Sequence, residues 1–400
     1  MLNTFYKEVL TIYYVGIDIS KYKHDCSILD QSGNTVINDF VFANSFEGFE
    51  SFKTLLSSLA SPDEIRIGFE ATGHYTSNLK RFLENAHYSF MESNPALISK
   101  FIHAQTLRRT KNDALDSHSI ARFLMSVDYK PYPKGFYHIY SLKSLTRLRD
   151  SVVRQRSLYL VKLTNVLDHI FPEFKPFFNN SFSSTALHIL EKYHTPDAIA
   201  DIPDKDYDEI RRISRGKFSY ARLISVKELA AKTVGDSNPI FESQLISVLA
   251  LYRTAEQEVE SLESEIIPLV QELNPKLLTI PGIGYITAAT IVAEYGDFSR
   301  FSSPSQMLSF AGLEPGYYQS GTMEFRGKMV KRGSSQLRYV LMNCVLPLIR
   351  FNPVFASYYH KKRLEGKPHR VALSHTAKKF VRVIYTLETK GINYDASLLR

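Results

Sequence analysis

Tyr13-Tyr14-Val15-Gly16-Ile17-Asp18 is a strand-forming run that stops abruptly at a carboxylate. A strand ending in this way places the acid at the carboxyl edge of its sheet, where open α/β folds build their sites. The same pattern returns in Ile65-Arg66-Ile67-Gly68-Phe69-Glu70. A second acidic signal lies in Lys111-Asn112-Asp113-Ala114-Leu115-Asp116-Ser117-His118. Asp113 and Asp116 are three apart, so on a helix both point the same way. Taken singly, each acid reads as a helix cap or a solvated strand end. Taken together they form one acidic cluster, which is costly unless a cation sits within it, and a hard divalent ion prefers carboxylate oxygen.

Outward from the first run, the pattern predicts three strands, at residues 13 to 18, Asp25 to Leu29 and Thr35 to Phe42, with a turn at Gln31-Ser32-Gly33-Asn34. Such a meander excludes a Rossmann start. Apolar residues at helical spacing from Ser45 to Leu59 predict a helix. A strand at 65 to 69, a helix near His74 to Leu83, a short strand near Tyr88 to Met91 and helices from Pro95 to about Met125 follow. This is the element order of the ribonuclease H-like fold, in which the first and fourth strands carry acids side by side.

The chain of 400 residues is too long for one ordinary core, and 44% hydrophobic against 22% charged residues excludes a disordered adaptor. A net charge of +8, with the cations bunched, favours an anionic partner, nucleic acid ahead of a membrane surface. Two cysteines, Cys26 and Cys344, suggest neither a disulfide framework nor a zinc site. With no signal-peptide pattern and no long uncharged apolar stretch, a soluble protein of the reducing cytoplasm is expected.

Pro131, Pro133 and Gly135 mark a linker. Beyond it a long helix, Leu142 to Ile170, carries Lys143, Arg147, Arg149, Arg154, Arg156 and Lys162 against the single acid Asp150. That face suits a phosphate backbone, and it equally suits a merely solvated surface. From Leu245 to Leu273 apolar residues fill every a and d position of a heptad frame, and Pro268 is expected to kink or end that helix. Two long helices around a poorly patterned insert, about 171 to 240, predict a helical arm used within the protomer or to pair protomers.

The last section opens with Pro281-Gly282-Ile283-Gly284. Between two helices this reads as a helix-hairpin-helix, with Gly282 and Gly284 letting backbone N–H groups approach a phosphate, or as a plain structural turn. Further on, Arg326, Lys328, Lys331, Arg332 and Arg338 form a strip with no acid, a phosphate-binding composition. Ser320 precedes Gly321 just upstream of it. A serine hydroxyl becomes a phosphoryl-transfer nucleophile only when it is positioned and helped by cations.

The motifs Gly16-Ile17-Asp18, Glu70-Ala71-Thr72-Gly73, Lys111 to Asp116, Pro281 to Gly284, Gly312-Leu313-Glu314-Pro315, Ser320-Gly321 and Lys331-Arg332-Gly333 run in order through the chain. As a set they closely resemble the DEDD transposases of bacterial insertion sequences, whose recombinase is guided by a bridge RNA. The sequence departs at Thr322, where many members carry a second glycine. The resemblance implies an α/β, ribonuclease H-like (RuvC-like) nuclease domain over 1–130. It further implies a long helical, coiled-coil arm over 131–275 and a mainly α transposase domain with a helix-hairpin-helix over 276–400. It implies that Asp18, Glu70, Asp113 and Asp116 bind Mg²⁺, two ions per site with Mn²⁺ as a substitute, and that Ser320 is the nucleophile. Ser320 would then have to meet the acids in space, from the same or another protomer. The implied partners are DNA of the element ends and the target, a structured guide RNA, and further copies of the chain as a dimer or tetramer. Two rival readings stand beside it: a hydrolytic junction-resolving nuclease using the acids alone, and a non-catalytic nucleic-acid-binding protein. The sugar kinase and actin-like ATPases share the Gly-Ile-Asp start, but no second nucleotide-binding half follows residue 130.

Overall fold

The computed structural model describes residues 11–71, 73–105, 113–132, 136–236, 238–320 and 323–398. The chain forms two compact units, Met1–Tyr137 and His138–Arg400.

The first unit is built on a five-stranded sheet. Strands β1 (Tyr13–Ile19), β2 (Lys23–Leu29) and β3 (Thr35–Ala43) form the expected meander, followed by helix α1 (Phe46–Leu59), β4 (Ile65–Glu70), α2 (Thr76–Asn85), β5 (Phe90–Ser93), α3 (Pro95–Gln105) and α4 (Asp113–Ser126). The strand order is β3-β2-β1-β4-β5. β1 pairs antiparallel with β2 and parallel with β4, and β4 pairs parallel with β5. The second helix and fifth strand begin two residues later than the sequence pattern suggests. A short 3-10 turn, Gly73–Tyr75, takes the place of the first turn of α2.

Alternation along β1 and β4 sorts their residues onto two faces. Val15, Ile17, Ile67 and Phe69 join Phe52, Leu56, Leu79 and Leu83 of α1 and α2 in a buried apolar core. Gly16 and Gly68 lie opposite one another in the register and face the other way, towards α4. A Cβ on Gly16 would lie under 3.0 Å from the Ser117 carbonyl oxygen and the Ala121 nitrogen, so the helix backbone rests directly on the strand. The hydroxyls of Ser27 and Ser117 hydrogen-bond (2.8 Å), and Ser27 donates onward to the Asn38 carbonyl (2.7 Å), which fastens α4 to β2 and β3.

The second unit opens with α5 (Phe136–Ile170), whose first residues lie before the division. Five short helices follow: α6 (Phe174–Phe177), α7 (Ser184–Lys192), α8 (Pro196–Ala200), α9 (Tyr207–Ile213) and α10 (Tyr220–Ala231). The insert therefore is not unpatterned: Phe171, Phe174, Leu187, Ile210 and Leu223 build a core of their own against the ends of the long helices. Helix α11 (Pro239–Leu273) packs its heptad seam on α5, with Ala255, Val259 and Leu262 against Val152. This seam is filled within the protomer. Pro268 neither ends nor interrupts α11, which runs five residues further; it sits on the solvent side, where a lost backbone hydrogen bond is repaired by water.

The remainder comprises α12 (Tyr285–Tyr295), α13 (Pro304–Phe310), strands β6 (Pro315–Ser320) and β7 (Met323–Met329), and helices α14 (Ser335–Asn343), α15 (Val345–Phe351), α16 (Pro353–Leu364) and α17 (His369–Lys390). One expectation is corrected here. The element before the Pro281 turn is a 3-10 turn, Lys276–Thr279, instead of an α-helix. The mainly helical section also contains an antiparallel two-stranded hairpin, β6 with β7. No single helix among the described residues is long and apolar enough to cross a membrane.

Candidate active site

Asp18 is the residue after Ile17, and Glu70 the residue after Phe69, its register partner on the neighbouring parallel strand. Two strands of the same direction thus end their pairing at two acids. By alternation both acids share the face of Gly16 and Gly68, the face that α4 covers. The first turn of α4 holds Asp113 and Asp116, and Asp116 adjoins Ser117, which rests on Gly16. Asp18, Glu70 and Asp116 are half-buried. The side chain of Asp113 lies outside the described residues, as do Lys111 and Asn112. Among the described residues, no three acids, histidines or cysteines stand close enough to form a ready metal shell.

A further acid was not singled out from the sequence. Asp25 is the register partner of Asp18 on β2, so it shares the same face, and it is buried with its carboxylate 3.1 Å from Lys23 Nζ. Only the pairing of β1 with β2 brings it there.

In the second unit, Ser320 and Met323 form the last pair of the hairpin, joined by Gly321 and Thr322, which lie outside the described residues. Nothing is described of the side chains of Ser320, Arg326 and Lys328. The base of the hairpin is closely packed. Gly312 (φ +65°) and Gly333 (φ +112°) take backbone conformations that disfavour a side chain, and a Cβ on either would strike the Arg332 or the Phe310 carbonyl oxygen. Val330 N–H donates to the Glu314 carbonyl and Ser334 N–H to the Phe310 carbonyl, at 2.9 and 3.2 Å. Lys331 and Arg332 are exposed beside this base, while half-buried Arg338 donates to the Ala311 and Lys331 carbonyls. Gly284 caps α12 with open space around it, whereas a Cβ on Gly282 would meet the Pro347 carbonyl at 2.9 Å.

Glu294 of α12, only 2% exposed, organises the surroundings of this strip. Arg147 donates to both of its oxygens (2.7 and 3.1 Å), Lys143 lies at 3.7 Å, and the Ser334 hydroxyl donates at 2.7 Å. Four of the six α5 cations have acidic partners: Lys143 and Arg147 serve Glu294, Arg149 serves Glu263 and Arg154 serves Asp150. An open cleft of about 420 Å³ lies beside Glu294's partners, lined by Arg147, Asp150, Arg154, Gly333, Ser335 and Gln336.

Burial pushes the Glu294 carboxyl up, but the Arg147 hydrogen bonds, Lys143 and Ser334 outweigh it and hold it below its ordinary value of 4.5. A carboxylate lowered on folding stabilises the fold above its unfolded value and loses that contribution as pH falls through the folded one. Glu294→Gln is therefore expected to cost about 2 kcal/mol at neutral pH. In urea denaturation, the gap from wild type should close as the pH is taken below about 4.

A transposase family model of the IS110 DEDD type matches residues 15–172, and the model of the transposase IS116/IS110/IS902 family matches residues 274–360. The chain belongs to this family of insertion-sequence transposases. The transposase is similar to the IS900 42 kDa protein of Mycobacterium paratuberculosis, 24% identical across 94% of this chain and 95% of that one. It is equally similar, at 24% identity and 94% of each chain, to the IS116 44.8 kDa protein of Streptomyces clavuligerus. The pilin gene-inverting protein of Moraxella bovis is 22% identical across 96% of this chain and 97% of its own. The transposase is thus an enzyme of DNA transposition, with two matched regions flanking the helical insert.

Proposed function

We propose that this transposase breaks and rejoins DNA through a covalent bond between Ser320 and a DNA phosphate, with Mg²⁺ held by Asp18, Glu70, Asp113 and Asp116. The observation that carries the reading is the register of β1 on β4, which ends at Ile17 and Phe69, so that Asp18 and Glu70 follow side by side on the face that α4 covers. Together with the strand order it supports a ribonuclease H-like, RuvC-type nuclease domain. The donor chemistry fits the ion: carboxylate oxygens suit a hard cation, Mg²⁺ or Mn²⁺, and two ions per site are proposed. Bound there, the ions would stabilise the charge of the phosphorane and favour ionisation of the attacking hydroxyl.

Ser320 supplies the nucleophile. Its Oγ attacks phosphorus, the Ser–O–P bond forms as the strand's own P–O bond breaks, and the leaving oxygen takes up a proton. A strand end with a free hydroxyl then attacks the same phosphorus, and the proton returns to Ser320. The phosphodiester energy is conserved, so no nucleotide cofactor is needed. The relative that inverts a pilin gene supports this reading, since inversion requires that every cut end be rejoined. Lys331 and Arg332, with Arg326, Lys328 and Arg338, are proposed to hold the DNA backbone, and the Gly282–Gly284 turn to contact it separately. A structured guide RNA would select the sequences joined. Exposed Leu148, Leu158 and Val161 on α5 support pairing with further copies of the chain, as a dimer or tetramer.

The test incubates purified protein with Mg²⁺, element-end DNA and candidate flanking RNA. A protein–DNA adduct stable to denaturation is expected with wild type and absent with Ser320→Ala. Equal cleavage by both proteins without an adduct would instead establish a hydrolytic nuclease.

A further inference from the structure

The stretch from Lys361 to Arg382 carries eight lysines and arginines and a single acid, Glu365. It begins beyond the region that the C-terminal family model matches, 274–360. Helices α16 and α17 pack through Phe355 on Phe380, with ring centroids 5.9 Å apart, and this brings their cations together. Lys362 of α16 and Lys379 of α17 lie over one ring, Tyr358, at 5.5 and 4.9 Å from its centroid. Glu365 is occupied by Lys362 at 2.8 Å. Lys361, Arg363, Lys367, His369 and Arg370 are exposed at the turn between the helices. Burial lowers Lys378 and Lys379 below the ordinary lysine value, with Arg382 and Lys361 adding repulsion; His375 is lowered by burial and then by Lys378, Lys362 and Lys367. A fold that crowds like charges in this way gains when a polyanion neutralises them.

We propose that the turn and adjoining faces of α16 and α17 form a sequence-independent contact surface for duplex DNA, gripping the phosphodiester backbone. This rests on the transposase reading only in taking DNA as the polyanion. Backbone charge is the surface's main offering: Tyr358 is covered by two cations and the Tyr359 hydroxyl is hydrogen-bonded to His369 (2.6 Å), so both tyrosines are engaged with cationic or ring partners of the fold.

The experiment measures binding of the full-length protein to a duplex of unrelated sequence across a salt series in EDTA, where no strand chemistry is expected. Each phosphate that a variant no longer neutralises lowers the slope of log K against log salt by about 0.9. Replacing Lys361, Lys367, Lys378 and Lys379 by Gln should therefore flatten the slope by about 3.6 and weaken binding roughly 10²- to 10³-fold at low salt. Replacing exposed Lys53, Lys100, Lys205 and Lys232 by Gln is the control of equal charge and should leave the slope unchanged. The single variants Lys361→Gln and Lys379→Gln should each remove about one unit, which keeps the test valid if the fourfold variant folds poorly. An unchanged slope, an equal loss in the control, or a loss seen with duplex RNA and not with DNA would overturn the proposal. Its failure leaves the Ser320 adduct untouched, and absence of the adduct leaves this surface untouched.

Discussion

Asp18→Asn is expected to lower DNA strand cleavage by about 10⁴-fold or more, roughly 5.5 kcal/mol of transition-state stabilisation, while duplex binding and melting temperature stay at wild-type values. The substitution keeps the shape of the side chain, so the β1 pairings to β2 and β4 are undisturbed. What it removes is one anionic oxygen donor at the sheet end where the parallel pairing of β1 and β4 runs out, one residue before Asp18 and Glu70. Chelation with EDTA should reproduce the loss in the wild type, and added Mg²⁺ or Mn²⁺ should reverse it. A gel assay on element-end DNA reads both effects. Undiminished cleavage by Asp18→Asn would remove the acidic cluster from the chemistry altogether.

Gly16→Ala is expected to be strongly damaging to the first unit. The added carbon would lie under 3.0 Å from two backbone atoms of α4, the Ser117 oxygen and the Ala121 nitrogen. Backbone in mid-helix has no rotamer with which to yield, so the whole helix must lift or the strand must bend. A loss of about 3 kcal/mol or more in urea denaturation is expected, at or above the upper end for overpacking. Cleavage should vanish with it, because the lifted helix carries Asp113 and Asp116. Gly68→Ala makes the comparison sharp. Its methyl would meet only the Leu124 side chain, at 2.5 Å from Cδ2, which can rotate, so a cost nearer 1–2 kcal/mol is expected.

The first unit was legible because its signals are local. Each strand is an apolar run bounded by turn residues or an acid, and the meander of β1 to β3 needs only short connections. The places of Asp18, Glu70 and Asp116 in the fold could be read for the same reason, since Asp18 stands near the end of β1, Glu70 closes β4 and Asp116 recurs at helical spacing. Asp25 could not, because its place opposite Asp18 depends on a register that no single strand encodes. Distance in sequence also hid the acidic partners of α5. Its arginines look unopposed until Glu263 and Glu294, more than a hundred residues away, are folded against them. The insert misled through its short helices, whose apolar residues show too few turns to reveal a period yet meet in one core. The β6–β7 hairpin was hidden by its composition, since β6 opens on Pro315-Gly316, a pair that reads as loop whatever the backbone does.

The placement of α4 has a consequence for the order in which the protein is made. During synthesis β1 to β5 emerge first and can bury Val15, Ile17, Ile67 and Phe69 beneath α1 and α2. The other face of the sheet, with the notch at Gly16 and Gly68, stays open to water until Ser126 has left the ribosome. The segment that closes this face also carries Asp113 and Asp116, so shielding of the sheet and arrival of these two acids occur in one event. An interrupted translation product ending before α4 would thus keep a bare sheet face, with the glycine notch of β1 and β4 uncovered.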